Sequence, residues 1–470
     1  YVLALDGETV IGSMAIRMRR PFSLDEKIPN LDAHLPANRN FCEVRLLNIA
    51  REHRSGRVLP GMLSVLTDYA IGEKIDGALI SATTRQLQLY SHLGFVPFGP
   101  LVGTADAPFQ PMYLTLEVFR ERLRKMSSFP PAARGEVVSL LSGPVAVHDD
   151  VRAAFHSPPR SHRSPSFEDE VRDLKARLRA LANANHVEIL LGSGTLANDA
   201  VAAQLALLGG RGIVVSNGEF GERLADHAQR ARLDFEHLRF EWGEPIDVAR
   251  IGNAAWVWLT ACETSAGILN DVAAIGALCR ENGAKLALDC VSAVGAVPID
   301  LQDVWLATGA SGKGLASYPG LSLVFHHDPI GSSDHVPRYL DLGLYARNGV
   351  PFTHSSNLVQ ALNVAVGRVD WSKRFSDICT NGTWLRARLR AAGCSLVGER
   401  ATPAPHVLTV QVPSHVRSDD VANVLERTGY IICHASGYLR ERNWIQICLM
   451  GEVARESLPP LVRAIARACR

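Results

Sequence analysis

Lys313 is the residue whose setting points most directly to covalent chemistry. It stands in TGASGKGLASYPG (308–320), a Gly/Ser-rich turn between two strand-like apolar runs. A primary amine in a tight turn, partly out of water, can add to an aldehyde and form a Schiff base. Two other motifs share the pattern of an apolar strand that ends in polar or glycine-rich residues. Asp289 closes the apolar run of LALDCVSA (286–293), where a carboxylate needs a partner. GSGT (192–195) follows the apolar HVEILL and opens a helix. Glycines there let backbone N–H groups approach an anion that the helix N-terminus favours.

Each motif alone is weak, since a glycine turn before a helix is usually only a turn. Their order carries more: a glycine turn, a strand-end carboxylate, then a lysine about two dozen residues on. A ligand with a phosphate, a ring nitrogen needing an anion and an aldehyde needing an amine would use all three. Pyridoxal 5'-phosphate is such a ligand.

These three points need an α/β scaffold. Apolar runs at 186–194, 212–217, 254–261 and 285–291 alternate with helical patterns at 168–185, 195–208, 220–232 and 272–283. A further strand pair straddles Lys313. This reads as a mostly parallel sheet, whose ligands bind at the carboxyl ends of its strands. Alternating stretches such as HVLTVQVP (406–413) give a smaller α+β domain over 365–470. RKMSSFPPAARGEVV (124–138) has no period and reads as linker within 124–139. The large domain then spans 140–364. Residues 1–123 form a separate α+β domain that opens on a hairpin, with Asp6-Gly7 between two apolar runs. The same domain has strands at 41–50, 77–84 and 112–119 and helices at 58–74 and 86–95. The chain opens at Tyr1 in what reads as mid-strand, which places a natural start upstream.

Composition sets the outer limits. The chain has 470 residues, 47% hydrophobic and 21% charged, with net charge +1. That excludes a disordered or collagen-like chain and gives no basic footprint for nucleic acid. Only seven of the 49 basic residues are lysines, so an essential amine has few candidates. Lys175 and Lys373 lie among charged residues and Lys285 follows a helix. Nine scattered cysteines, none in a CxxC pair, signal neither a disulfide framework nor a zinc site. No apolar run approaches a membrane span and no signal peptide is visible, so the expectation is a cytoplasmic protein that binds no membrane.

Residues 141–470 resemble the class V aminotransferases of the fold-type-I pyridoxal-phosphate superfamily. The resemblance rests on SGPVAV (142–147), HRSPSF (162–167), GSGT (192–195), NGEFGER (217–223), ETSAGIL (263–269), LDCVSAVGAVPID (288–300) and SGKGL (311–315). The set is similar to alanine–glyoxylate and 2-aminoethylphosphonate aminotransferases. The resemblance implies that Lys313 carries the internal aldimine and that Asp289 holds the pyridinium N–H. It implies that Phe220 stacks on the ring and Thr264 reaches the phenolic oxygen. The N–H groups around Gly194, Thr195 and Leu196 would bind the phosphate. Thr353, in PFTHSSN (351–357), falls where the family supplies a phosphate contact from the partner subunit, which implies a homodimer.

Two positions depart from the family. Gly312 stands where Gln or Asn usually precedes the lysine. In NWIQICLMGE (443–452), Gln446 takes the place of the arginine that pairs with the substrate carboxylate. A neutral amide does not replace a bidentate arginine. Arg440 and Arg442, a few residues upstream, are the candidates to substitute.

Residues 1–123 resemble the GNAT acyltransferase fold, entered after its first elements. The motif is EVRLLNIAREHRSGRVLPGML (43–63). In the family this loop binds the pantetheine pyrophosphate through backbone amides; here Arg54 begins it, with Arg57 and Leu59 where small residues belong. The form is more like the N-acyl amino acid synthase branch, which can take acyl groups from a carrier protein. LYSHLGF (89–95) matches a family ending in which Tyr90 protonates the leaving thiolate. The resemblance thus implies acyl-CoA or an acyl carrier thioester as ligand.

The leading expectation is an aminotransferase-like enzyme. It would act on an amino acid or related amine through a Lys313 aldimine and a quinonoid, in bacterial secondary metabolism. The alternative diverts the same chemistry to β- or γ-elimination, replacement or carbon–carbon bond formation, with an S-adenosylmethionine-type substrate among the candidates. The third makes the GNAT half the working acyltransferase.

Overall fold

The computed structural model describes residues 1–6, 9–37, 39–50, 58–84, 87–92, 94–104, 107–119 and 137–469. The chain divides into two compact units, Tyr1–Ala133 and Arg134–Arg470. Arg54 and most of the 124–139 segment lie outside the described residues.

The first unit is one sheet with helices. Strands Val2–Asp6 and Thr9–Arg17 form the hairpin. Next come Phe41–Ile49, Gly77–Thr83, Ala107–Thr115 and Val96–Pro97, with Val102–Thr104 also on Ala107–Thr115. Every pairing is antiparallel except that of Phe41–Ile49 with Gly77–Thr83, which runs parallel over Phe41–Glu43 and Gly77–Leu79. Beyond those residues the two strands part. The strand expected over 112–119 is Ala107–Thr115, and Leu116–Phe119 turn helical. Pro108 and Pro111 hid its start, because proline lacks the N–H that a ladder uses.

The second unit is built on a seven-stranded sheet. Its order is Phe235–Arg239, Gly212–Ser216, Trp256–Thr260, Lys285–Asp289, Leu306–Ala310, Leu321–His326 and His186–Leu191. All strands run parallel except Leu321–His326, which is antiparallel to both neighbours. The sheet is therefore mixed. It is buried on both faces, which explains the near-continuous apolar runs. Val187, Ile189, Ile213, Val215, Val257 and Leu259 face one layer. Leu190, Val214, Trp256 and Trp258, alternating with them, face the other. Each such side chain contributes about 1.5–3 kcal/mol on burial.

Helix ends follow capping chemistry. The helix expected over 168–185 is Pro165–Ala182. Ser164 accepts from Phe167 N, proline follows it at the first turn, and Asn183 closes the end in the left-handed conformation. These caps move the whole helix three residues toward the N-terminus.

A smaller layer completes the unit. Strands Ser395–Leu396, Val407–Gln411 and Trp444–Cys448 are antiparallel. Helices Trp371–Ala391, Ser418–Arg427 and Leu458–Ala468 accompany them. Strand Val138–Leu140, at the start of the unit, pairs in parallel with Tyr430–Ile432 near its end. Val138 and Ser139, placed in the linker by sequence, thus belong to this layer. Among the described residues, no helix is long and apolar enough to cross a membrane.

Candidate active site

Asp289 and Lys313 lie at the carboxyl ends of adjacent strands. Asp289 is the last residue of Lys285–Asp289, and Lys313 lies three residues beyond Leu306–Ala310. Asp289 is 8% exposed. Its Oδ2 accepts from Asn198 Nδ2 at 2.9 Å and its Oδ1 from Val291 N at 2.9 Å. The Thr308 hydroxyl donates to Asn198 Oδ1 at 3.1 Å, so the amide is held from behind. No lysine or arginine pairs with Asp289 among the described residues. A buried carboxylate with neutral donors alone is costly, and a cationic ring N–H would offset that cost.

Lys313 is half-buried, and its Nζ has no hydrogen bond or ion pair among the described residues. Gly143 lies against its stem: a Cβ there would stand 3.2 Å from Lys313 Cδ and Cε. Gly312 is fixed by sterics as well, since a side chain would come 2.8 Å from Pro319 Cα. The Gln or Asn expected at that position has no room here.

The GSGT turn opens the helix Gly194–Leu208, with Ser193 as its N-cap. A Cβ on Gly194 would come within 2.8 Å of Val291, so the turn sits directly against the residues after Asp289. Leu196 N donates to Ser193 O at 2.9 Å, which removes it from the expected phosphate donors. The N–H groups of Gly194 and Thr195 remain at the open helix end. The donor set therefore fits pyridoxal phosphate: helix-end amides, a buried carboxylate lacking a cation, and an unpaired amine.

Phe220 is placed by a carboxylate that the motif reading missed. Glu263 is fully buried and accepts from Phe220 N at 3.3 Å, Gly221 N at 3.0 Å and Ser265 N at 3.1 Å. The Ser265 hydroxyl adds a fourth bond at 2.5 Å. Burial pushes the Glu263 carboxyl up, and these four hydrogen bonds oppose the shift. The Phe220 ring meets Tyr438 edge-on, centroids 6.4 Å apart, and Arg223 lies over it at 5.0 Å. Thr264 is buried, and its carbonyl accepts from Gln446.

Gln446 does not face a substrate carboxylate as expected. It is fully buried. Its Nε2 donates to Thr264 O at 2.5 Å, Ser265 O at 3.1 Å and Thr409 Oγ1 at 2.9 Å, while its Oε1 accepts from the Tyr438 hydroxyl at 2.9 Å. Buried and with both amide hydrogens engaged, it offers no donor to a ligand. Arg440 is exposed and bonds Asp419 at 3.3 Å. Arg442 is exposed and stacks 3.8 Å above Trp242. The structure therefore gathers none of the three around Lys313. Thr353 is exposed.

Cys433 was also missed. Its Sγ accepts from Ser142 N at 3.1 Å, next to Gly143 and the Lys313 stem. The Cys448 and Ser142 hydrogen bonds, aided by the Lys313 charge, pull its thiol down to about 6. The residue is paired with Gln446 across an isolated bridge. Sequence proximity could not reveal it, because Ser142 and Cys433 are 291 positions apart.

In the first unit, the parting strands enclose a cavity of about 270 Å³. Val44, Leu47, Leu66, Ser81, Tyr90 and Phe95 are among its walls. Tyr90 is half-buried, and burial pushes its hydroxyl up, so it stays protonated.

Comparison with known proteins agrees with both halves. The aminotransferase class-V family matches residues 145–330. The N-acyl amino acid synthase FeeM family matches residues 1–115. The soluble hydrogenase 42 kDa subunit of Anabaena cylindrica is 28% identical over 319 residues, 62% of this chain and 82% of the relative. The 2-aminoethylphosphonate–pyruvate transaminase of Pseudomonas putida is 26% identical over 315 residues, 62% of this chain and 84% of the relative. The alanine–glyoxylate aminotransferase structure from Nostoc sp. superposes with TM-score 0.64 at 27% identity, covering 73% of this chain and 97% of that one. The chain thus joins an N-terminal GNAT-family, FeeM-like acyltransferase domain to a class-V-like, fold-type-I aminotransferase domain, a fold that uses pyridoxal phosphate.

Proposed function

We propose that the second unit transfers an amino group from an amino acid or related amine, with Lys313 and Asp289 as its chemical pair. The observation that carries this is their placement: an unpaired amine and a buried, cation-free carboxylate at adjacent strand ends, beside an open helix N-terminus. When bound, pyridoxal phosphate supplies an aldehyde for the amine and a ring that delocalises negative charge. Lys313 Nζ would hold the cofactor's aldehyde, and the same amine stands where it would act as general base toward the proton on the substrate carbon. The Asp289 carboxylate keeps the ring nitrogen protonated, and Asn198 and Val291 hold that carboxylate in place. Gly194 and Thr195 N–H groups bind the phosphate. Phe220, fixed through Glu263, would pack on the ring, and Thr264 would serve the phenolic oxygen.

Exposed Thr353 suits a phosphate contact made across a homodimer, and the protein acts in the cytoplasm. The first unit takes its acyl group from acyl-CoA or an acyl carrier protein, with the chain in the apolar cavity and Tyr90 as proton donor.

A second reading keeps the same residues and diverts the chemistry to elimination, replacement or carbon–carbon bond formation. The buried Gln446 favours it, because the position that would carry a cation for an α-carboxylate holds a neutral amide whose donors are engaged. An absorbance spectrum of purified protein with pyridoxal phosphate, taken before and after a panel of amino acids and S-adenosylmethionine, separates the two. Loss of the visible band with formation of a keto acid and pyridoxamine phosphate supports transfer. A product without pyridoxamine phosphate supports diversion. A wild type with no band overturns both.

A further inference from the structure

Arg374 sits on the helix Trp371–Ala391, outside every motif that the chemistry uses. It is partly buried, and it forms no ion pair among the described residues. Its guanidinium instead donates to three backbone carbonyls from three segments. Nε reaches Gly295 O at 3.2 Å, in the loop that follows Asp289. Nη2 reaches Gly314 O at 3.1 Å, the residue after Lys313. The same nitrogen reaches Met450 O, just past the strand Trp444–Cys448. Burial lowers its basicity, and Glu452, whose charge opposes that shift, is engaged by Arg368 at 2.9 Å.

The two loops it bridges touch backbone to backbone. A Cβ on Gly295, whose φ is +77°, would lie 2.7 Å from Gly314 C. A Cβ on Gly314 would lie 2.5 Å from Val294 O. Lys313 is thus one peptide away from a contact with no side chains in it. Such a contact has little packing of its own to set its spacing. A planar fork with fixed donor directions can set it, which a flexible ammonium does less well.

We propose that Arg374 is a positioning residue that fixes Lys313 relative to Asp289 by clamping their two loops to each other and to the small layer. This rests on the reading of Lys313 and Asp289 as the chemical pair.

The test uses the full chain with pyridoxal phosphate and compares wild type, Lys313→Ala, Arg374→Met, Arg374→Lys and Gly295→Ala. Each is read by its lysine-dependent visible band, by the pH midpoint of that band, by the rate at which the band forms, and by thermal melting. Arg374→Met is expected to move the midpoint by about one pH unit or more and to slow band formation about tenfold. Arg374→Lys is expected to recover part of both. Gly295→Ala, which forces the loops apart with the guanidinium intact, is expected to shift the midpoint too, and it serves where Arg374→Met does not fold. An unchanged midpoint and rate in Arg374→Met and Gly295→Ala, with or without a lower melting temperature, overturns the proposal and leaves the pair standing. A wild type whose band is absent, or survives Lys313→Ala, overturns the pair and the proposal together.

Discussion

Asn198 and Asp289 form one hydrogen-bonded unit: the amide donates to the carboxylate at 2.9 Å while Thr308 donates to the amide oxygen at 3.1 Å. The relay fixes which amide atom faces Asp289. Asn198→Asp would bring a second carboxylate within hydrogen-bond reach, and like charges at that distance cannot both ionise. The expected result is a sharp loss of pyridoxal phosphate affinity, measured by fluorescence titration, with Asn198→Ala weaker in effect. Asp289→Asn, which removes the charge itself, should reduce turnover by about 10²–10³-fold, the scale of losing one charge-stabilising group.

Lys313→Ala should abolish the lysine-dependent visible band while pyridoxal phosphate still binds through the helix end and Asp289. Borohydride treatment followed by peptide mass analysis checks it: label on 311–315 in wild type, none in the variant. Labelling of another lysine in wild type would remove Lys313 from its role.

The Cys433 thiol, lowered to about 6 from an ordinary value of 9, gives a pH signature. Between these values the unfolded thiol holds a proton that the folded one has released, so this group adds stability as pH rises through the window and withdraws it as pH falls toward 6. Cys448 is raised and keeps its proton throughout that range. Alkylation of Cys433 by iodoacetamide should be half-maximal near pH 6, and Lys313→Ala should move that midpoint upward. Peptide mapping across a pH series gives both.

Gln446→Leu should destabilise the second unit by about 1–3 kcal/mol, because it strands the Tyr438 hydroxyl in the interior and leaves the Thr264 and Ser265 carbonyls with only their bonds from Gly267 N and the Thr409 hydroxyl. Urea unfolding measures this. A neutral result would mean that the buried amide network is not holding the two layers together.

Tyr90→Phe keeps the ring packed against Phe95 and removes only the proton donor. With an acyl-CoA or acyl carrier thioester and an amine acceptor, release of free thiol should fall by about 10²-fold, a typical general-acid contribution. An unchanged rate would place proton transfer elsewhere in the cavity.

What the sequence made legible follows from period and chemistry. Lys313, Asp289 and Gly194 were readable because each ends an apolar run, and strand ends in such sheets collect ligands. Asn198 was not, because an amide one turn inside a helix looks like any polar helix residue; only the burial of that face gives it meaning. Glu263 was quoted within a motif yet its task was invisible, since the groups that it positions are the backbone N–H groups of Phe220 and Gly221, 43 and 42 positions away. Gln446 was placed by the family pattern, which marks a position that meets a substrate carboxylate but does not show that here the amide is taken up by neighbouring carbonyls and hydroxyls. The helix Pro165–Ala182 was displaced by three residues where caps outweigh hydrophobic spacing.

The pairing of Val138–Leu140 with Tyr430–Ile432 also constrains how the protein is made. Synthesis runs from the N-terminus, so the first strand of the second unit leaves the ribosome long before its partner exists. The first unit can close as soon as its own sheet has emerged. The second must hold its opening strand unpaired until residues 430–432 are out, and closing so long a loop is slow. A ribosome stalled before Tyr430 would therefore display a finished first unit and an unfinished second one, with the Val138–Leu140 edge open to chaperones.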